Sequence, residues 1–138
     1  MFVHRTKIRF AHVDAAGIVF YPRYFEMLNA AVEDWFAEDF GRDFRSLHLE
    51  ERIGTPTVQL ECEFVSPAML GDEIAVHLTP VKIGNSSCRF AFCFETGNHV
   101  RLKGSAVLVG MDLDRQQSRS WAAAIRAAME LHRDNGVA

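Results

Sequence analysis

In FVHRTKIRF, Phe2, His4, Thr6, Ile8 and Phe10 fall on one side of a period-two alternation, with Val3, Arg5, Lys7 and Arg9 on the other. That pattern predicts a half-exposed strand. From Pro22 the period changes. Phe25, Leu28, Val32, Trp35 and Phe36 recur at spacings of 3, 4, 3 and 1, one apolar face of a helix about four turns long. Glu26, Glu33 and Asp34 fall elsewhere on it. Proline is at home in the first helical position, where its missing N–H costs nothing. Ala30 and Ala31 would let a neighbouring backbone come close, and Gly41 is expected to end the helix. A shorter helix is predicted over 43–52, closing at Gly54.

Alternation then resumes. Val58, Leu60, Cys62 and Phe64 alternate with Thr57, Gln59, Glu61 and Glu63; Ile74, Val76 and Leu78 share one face; Cys88, Phe90, Phe92 and Phe94 oppose Arg89, Ala91, Cys93 and Glu95. VRLKGSAVLVGMDLD reads as one longer strand, with Gly104 a candidate bulge. SPAMLGD and KIGNSS read as turns, and Gly97-Asn98 as a tight hairpin. SRSWAAAIRAAMELHRDNG closes as a helix with Trp121, Ile125, Met129 and His132 on one face and Ser118 or Ser120 as its N-cap. Consecutive strands with short connections imply an antiparallel sheet. The long helix is the only large element able to cover its apolar face. The expectation is therefore one α+β domain over 1–138, a curved five-stranded sheet around a central helix. The remaining apolar content, above all the Phe-rich strand, predicts burial between subunits.

Composition narrows the partners. A formal charge of −3 and a pI near 6.0 argue against nucleic acid. No apolar run of the 18 residues a membrane span needs occurs, and MFVHRTKIRF has no signal-peptide h-region; a cytoplasmic protein without membrane contact is expected. Cys62, Cys88 and Cys93 form no CxxC and read as reduced thiols. The six histidines lack metal-site spacing, so no metal is expected. Neither a GxGxxG nor a P-loop is present.

HVDAAGIVFYPRYF, residues 12–25, is harder to place: a lone acid, Asp14, opens an apolar run. An Asx-turn alone would account for Asp14. His12 could share a face with it or simply finish the strand. The run Asp14-Ala15-Ala16-Gly17-Ile18-Val19-Phe20-Tyr21-Pro22-Arg23-Tyr24, after a strand ending in Phe10, resembles the 4-hydroxybenzoyl-CoA thioesterase family of hot-dog-fold enzymes. The resemblance extends through GTPTVQLECEFVSPAMLGDEI and covers most of the chain in matching order. It implies a hot-dog fold, a homodimer or homotetramer, and hydrolysis of acyl-CoA. It also implies a catalytic role for Asp14, a carbonyl-polarising role for the Tyr21 main-chain N–H, and positions near the acyl group for Asn29 and Thr55. The 4-hydroxybenzoyl branch of that family has a basic cluster in the turn before the Phe-rich strand. Here that turn is Gly84-Asn85-Ser86-Ser87, flanked only by Lys82 and Arg89. Its backbone is a candidate phosphate nest at Ser86 and Ser87, with Arg115, Arg119 or Arg126 as alternative cations.

The chemistry is coherent without the resemblance. A thioester has a good leaving group, so neither metal nor cofactor is required. What is needed is a donor for the developing oxyanion and a carboxylate that attacks or activates water. Tyr21-Pro22 at a helix start offers the positive end of the dipole. Gly17 lets the loop pass close to a substrate, and the apolar run is expected to desolvate Asp14 partly, raising its pKa. Phe20, Tyr24, Phe25 and Trp35 are core candidates that would also suit a flat aromatic acyl group, with Asn29 on the same helix. The expectation is an acyl-CoA thioesterase for an aromatic or short-chain acyl group. A thioesterase for acyl-carrier protein and a non-catalytic acyl-CoA binding module stand as alternatives.

Overall fold

The computed structural model describes residues 1–133; the end of the closing helical segment read from the sequence, 134–136, lies outside the described residues. The long helix α1 spans Pro22–Glu38 with proline at its start. Strands β1 (Phe2–Lys7), β3 (Thr57–Phe64), β4 (Glu73–Ile83), β5 (Ser87–Thr96) and β6 (His99–Val109) form one antiparallel sheet in the order β1-β4-β5-β6-β3. Three short strands, β2 (Ile53–Gly54), β7 (Met111–Asp112) and β8 (Gln117–Ser118), form a second sheet. Helix α2 spans Ala123–His132. Among the described residues, no helix is long and apolar enough to cross a membrane.

Apolar periodicity explains how helix and sheet meet. Met27, Leu28, Ala31, Val32, Trp35 and Phe36 of α1 are buried, as are Cys88, Phe90, Phe92 and Phe94 of β5. Tyr24 stands edge-on to Phe94 at 5.6 Å and Trp35 meets Phe90 at 5.5 Å, so α1 runs along the central strand. Each fully buried large apolar side chain contributes on the order of 1.5–3 kcal/mol. The hairpin between β5 and β6 turns at Gly97-Asn98, where Gly97 takes φ +58°.

The structure departs from the sequence pattern in several places. The first strand stops at Lys7, and Phe10 is 83% exposed in a 3-10 turn over Phe10–His12. The turn forms because the Arg9 N–H donates to His12 Nδ1 at 2.8 Å and the His12 N–H to the Arg9 carbonyl at 2.9 Å. Gly104 is in register, not a bulge: it faces Cys62 and Phe92, and a Cβ there would lie 2.8 Å from the Cys62 Cα. Bulges fall instead between Thr57 and Gln59, between Pro80 and Lys82, and between Phe94 and Glu95. The long strand breaks at Gly110, whose N–H goes to Ser86 O, and Met111 continues in the small sheet. Neither serine caps α2. Its N-cap is Ala122, and Trp121 anchors the entry by donating Nε1–H to Ser87 O at 2.9 Å. The short helix narrows to Arg45–Glu50, where the Glu51 N–H reaches back five residues to Ser46 O.

β3 lies at the sheet edge and keeps its apolar residues in the open: Val58 is 60%, Leu60 38% and Phe64 51% exposed. One chain leaves this strand with a free backbone edge and an uncovered face.

Candidate active site

Residues 12–20 form a hairpin. The Asp14 N–H donates to Ile18 O at 3.0 Å, the Gly17 N–H to Asp14 O at 3.0 Å, and the Phe20 N–H to His12 O at 2.9 Å. Gly17 sits at φ +78°, a conformation glycine adopts without steric cost. The returning leg is stitched to residues 68–70 by Val19 N–H to Ala68 O and Leu70 N–H to Gly17 O, both 3.0 Å. Ala68 N–H in turn donates to the Tyr24 hydroxyl at 3.2 Å. Burial pushes the Tyr24 phenol above its usual range, so it stays protonated and holds this joint to α1.

Asp14 accepts the Ala16 N–H through Oδ1 at 2.8 Å, a local Asx-turn. Among the described residues nothing engages its other oxygen. Asp14 is exposed, so the desolvation expected of the apolar run is not supplied within one chain. His12 is tied down as a turn residue through Nδ1, and its carbonyl receives the Phe20 amide next to Tyr21. It therefore joins the Asp14 leg to the start of α1, a role the sequence alone did not mark.

The first turn of α1 disposes of its amides in an informative way. Pro22 has none, the Arg23 N–H goes to Phe20 O at 2.9 Å, and the Tyr24 N–H to Tyr21 O at 3.2 Å. The Tyr21 N–H has no acceptor among the described residues. Tyr21 holds φ −54° and ψ −35°, helical angles that a residue before proline ordinarily avoids. The helix therefore presents one free donor at its positive end.

Two apolar cavities flank that donor. One, of about 340 Å³, lies between α1 and β3 and includes Phe25, Asn29, Thr57, Leu60 and Phe90 in its wall. The other, of about 230 Å³, is lined by Tyr21, Tyr24, Phe64 and Val65 among others. Phe25 and Asn29 thus meet in one cavity. Thr55 is half-buried in the link before β3 and does not line it; Thr57 does. Strict alternation puts Thr57 with the solvent-facing acids. The bulge between Thr57 and Gln59 reverses that parity and pairs Thr57 with the buried Leu108.

Ser86 and Ser87 are not brought to Asp14 in one chain. Because Tyr24 meets Phe94 and Trp35 meets Phe90, the start of β5 lies toward the far end of α1. The turn before it is closed by Gly84 N–H to Ser87 O at 2.8 Å, and Arg126 Nη1 donates to Gly84 O at 2.6 Å. Arg126 is therefore the cation at this turn, while Arg89 is engaged with Ser105 and Gln59.

The thiols are poor nucleophiles. Burial pushes Cys88 up to about 12, with Glu130 adding to it. Burial, followed by the Glu95 hydrogen bond, pushes Cys93 up to about 11. Both are expected to react far more slowly than free cysteine with a disulfide reagent at neutral pH. Their protonated forms favour the fold fully below the ordinary value of 9.0, and that contribution is lost as pH rises toward about 11 and 12. A urea midpoint that falls over this alkaline range checks the sign. Among the described residues, no three His, Cys, Asp or Glu side chains are grouped to hold a metal ion.

Comparison with known proteins agrees with this architecture. The 1,4-dihydroxy-2-naphthoyl-CoA hydrolase of Crocosphaera subtropica is 29% identical over 86 residues, which is 62% of this chain and 61% of that protein. The chain thus matches about three-fifths of that relative's length. The structure of a thioesterase superfamily protein from Jannaschia sp. CCS1 superposes with a TM-score of 0.88 at 25% identity, covering 96% of this chain and 93% of that one. A gentisyl-coenzyme A thioesterase superposes with a TM-score of 0.82 at 24% identity, covering 91% and 99%. The Crocosphaera relative and that of Thermosynechococcus vestitus carry the dihydroxynaphthoyl name, not the 4-hydroxybenzoyl one. The hot-dog fold expected from the motif is present, and a match to the family profile over residues 8–129 shows that the chain belongs to the thioesterase-like superfamily.

Proposed function

We propose that this protein hydrolyses acyl-CoA thioesters carrying an aromatic or short acyl group, releasing the free acid and CoA. The observation that carries the reading is the Tyr21 N–H at the N-terminus of α1, which has no acceptor among the described residues and is joined through one short hairpin to the Asp14 carboxylate. A carbonyl oxygen accepting from that amide gains the helix dipole as it becomes an oxyanion. One oxygen of Asp14 has no partner among the described residues. If it attacks the carbonyl carbon, loss of the thiolate leaves an acyl anhydride that water then hydrolyses to the acid. If it instead takes a proton from an attacking water, C–S cleavage gives the acid directly and the proton passes to the departing thiolate. Thioesterase superfamily membership and the dihydroxynaphthoyl-CoA and gentisyl-CoA relatives support the reaction class and an aromatic acyl group. The cavity beside Phe25 and Asn29 is apolar and close to the donor, as such a group requires.

The working unit in this proposal is a homodimer at least. The free edge of β3 and its exposed Val58, Leu60 and Phe64 suit a second copy of the same strand. Sedimentation is expected to give at least twice the 15.6 kDa chain mass; a monomer at micromolar concentration contradicts this. A second copy would also cover Asp14 and could bring the turn at Ser86 and Ser87, with Arg126, to bound phosphates.

The test of function is thiol release by the wild-type protein from benzoyl-, 4-hydroxybenzoyl-, phenylacetyl-, butyryl-, hexanoyl- and palmitoyl-CoA, with an acyl-carrier-protein thioester alongside. Turnover concentrated in the aromatic or short members supports the proposal. Turnover on the carrier protein alone transfers the reading to that class, and binding without turnover leaves only the binding module.

A further inference from the structure

We infer that Phe64 is the specificity-determining residue of this site, a wall that divides the acyl-binding space and limits how long an aromatic group it accepts. The inference rests on the thioesterase reading above and deepens it. Along β3, Leu60 and Phe64 point to the same side; Leu60 lines the cavity of about 340 Å³ and Phe64 the one of about 230 Å³. On the helix side, Pro22 and Phe25 of α1 belong to the first cavity, and Tyr24 with the preceding Tyr21 to the second. The two spaces are therefore consecutive compartments of a single groove between helix and strand.

What interrupts the groove is one ring. Phe64 meets Phe25 edge-on with centroids 6.4 Å apart, and lies 6.1 Å from both Tyr21 and Tyr24. The Phe25–Phe64 contact joins a residue of one compartment to a residue of the other, which makes it the partition. Phe64 is not a core residue: 51% of it is exposed, on an edge strand. Within one chain its ring contacts are with Tyr21, Tyr24 and Phe25, residues that line the two compartments. The free Tyr21 amide belongs to the residue at this boundary, so a thioester carbonyl bonded to it has its acyl group in one compartment. Either compartment is roomy enough for one or two rings; what Phe64 limits is reach, and a 2-naphthoyl group, longer from its carbonyl than benzoyl, meets the partition first. Removing a side chain from an apolar pocket of this kind changes discrimination between neighbouring homologues by about tenfold or more.

The test compares kcat/KM for 2-naphthoyl-CoA and benzoyl-CoA in wild type, Phe64→Ala, Phe64→Leu and Phe64→Trp. The Leu variant keeps an apolar side chain on β3 should Ala perturb the fold. Equilibrium binding of the matching non-hydrolysable arylmethyl thioethers of CoA is measured on the same proteins. The naphthoyl-to-benzoyl ratio is expected to rise about tenfold in Ala, less in Leu, and to fall in Trp, with the thioether affinities moving the same way. A ratio constant within about twofold across all four proteins, in rate and in binding, overturns the inference. Affinities that follow the predicted order in a protein that cleaves no thioester uphold the partition and sink the thioesterase reading instead.

Discussion

Asp14→Asn is expected to lower kcat for thioester hydrolysis by at least about a hundredfold, with little change in KM. The substitution separates chemistry from architecture unusually well at this position. The architectural role of Asp14 is the bond its Oδ1 accepts from the Ala16 N–H at 2.8 Å. Asparagine keeps an oxygen at that place and favours the same turn. The hairpin, held also by Asp14 N–H to Ile18 O and Gly17 N–H to Asp14 O, therefore survives. Only the negative charge and the basic oxygen are lost. A purely structural Asp14 predicts unchanged rate and unchanged melting temperature; a catalytic one predicts a large loss in rate at unchanged melting temperature.

Removal of the Tyr21 amide is the second large effect. Main-chain donors usually escape mutagenesis, but here proline can replace the residue. Tyr21 already sits at φ −54°, within the range proline imposes, and its N–H has no protein acceptor to lose among the described residues. Its ring is 58% exposed and touches Phe20 and Phe64 only edge-on. Tyr21→Pro is expected to cost about 10²–10³ in kcat, the range for one oxyanion donor. Tyr21→Ala, which retains the N–H, reports the ring alone and is expected to lose far less. Equal losses in the two variants would place the effect in the side chain and remove the donor from the mechanism.

Much of the fold is legible in the sequence because one physical rule governs each legible part. Period-two alternation follows from the pleat, so β4 and β5 could be read from Ile74–Leu78 and from the Phe-rich run. The 3.6-residue period and Pro22 mark α1, and Gly97-Asn98 marks its hairpin. The departures arise where a single side chain or a bulge overrides the pattern. Accepting the Arg9 N–H, His12 bends the chain before Phe10 can continue β1. Trp121 rather than a serine fixes the entry to α2. Gly104 serves close strand approach, which resembles a bulge signal in a sequence but has a different cause.

The candidate site divides in the same way. The Asp14–Tyr21 segment is contiguous, so its chemistry can be read directly, and Phe25 and Asn29 are one helical turn apart. Thr57 and Phe64 enter the cavity walls through a strand distant in sequence. In the case of Thr57 a bulge inverts the face that alternation predicts. Ser86 and Ser87 show the converse. Their residue types suit phosphate, yet the chain places them at the far end of β5 from Asp14, and only an assembly of copies can alter that distance.

In the proposed mechanism the Asp14 carboxylate and the Tyr21 amide act on one thioester carbonyl. Thiol release from benzoyl-CoA by wild type, Asp14→Asn, Tyr21→Pro and the double variant, followed in one experiment, decides whether they do. Groups that act as a unit give non-additive losses. Joint action gives turnover by the wild type, loss of at least about a hundredfold in each single variant, and a double variant little slower than the slower single. Wild-type turnover retained in both single variants would contradict it.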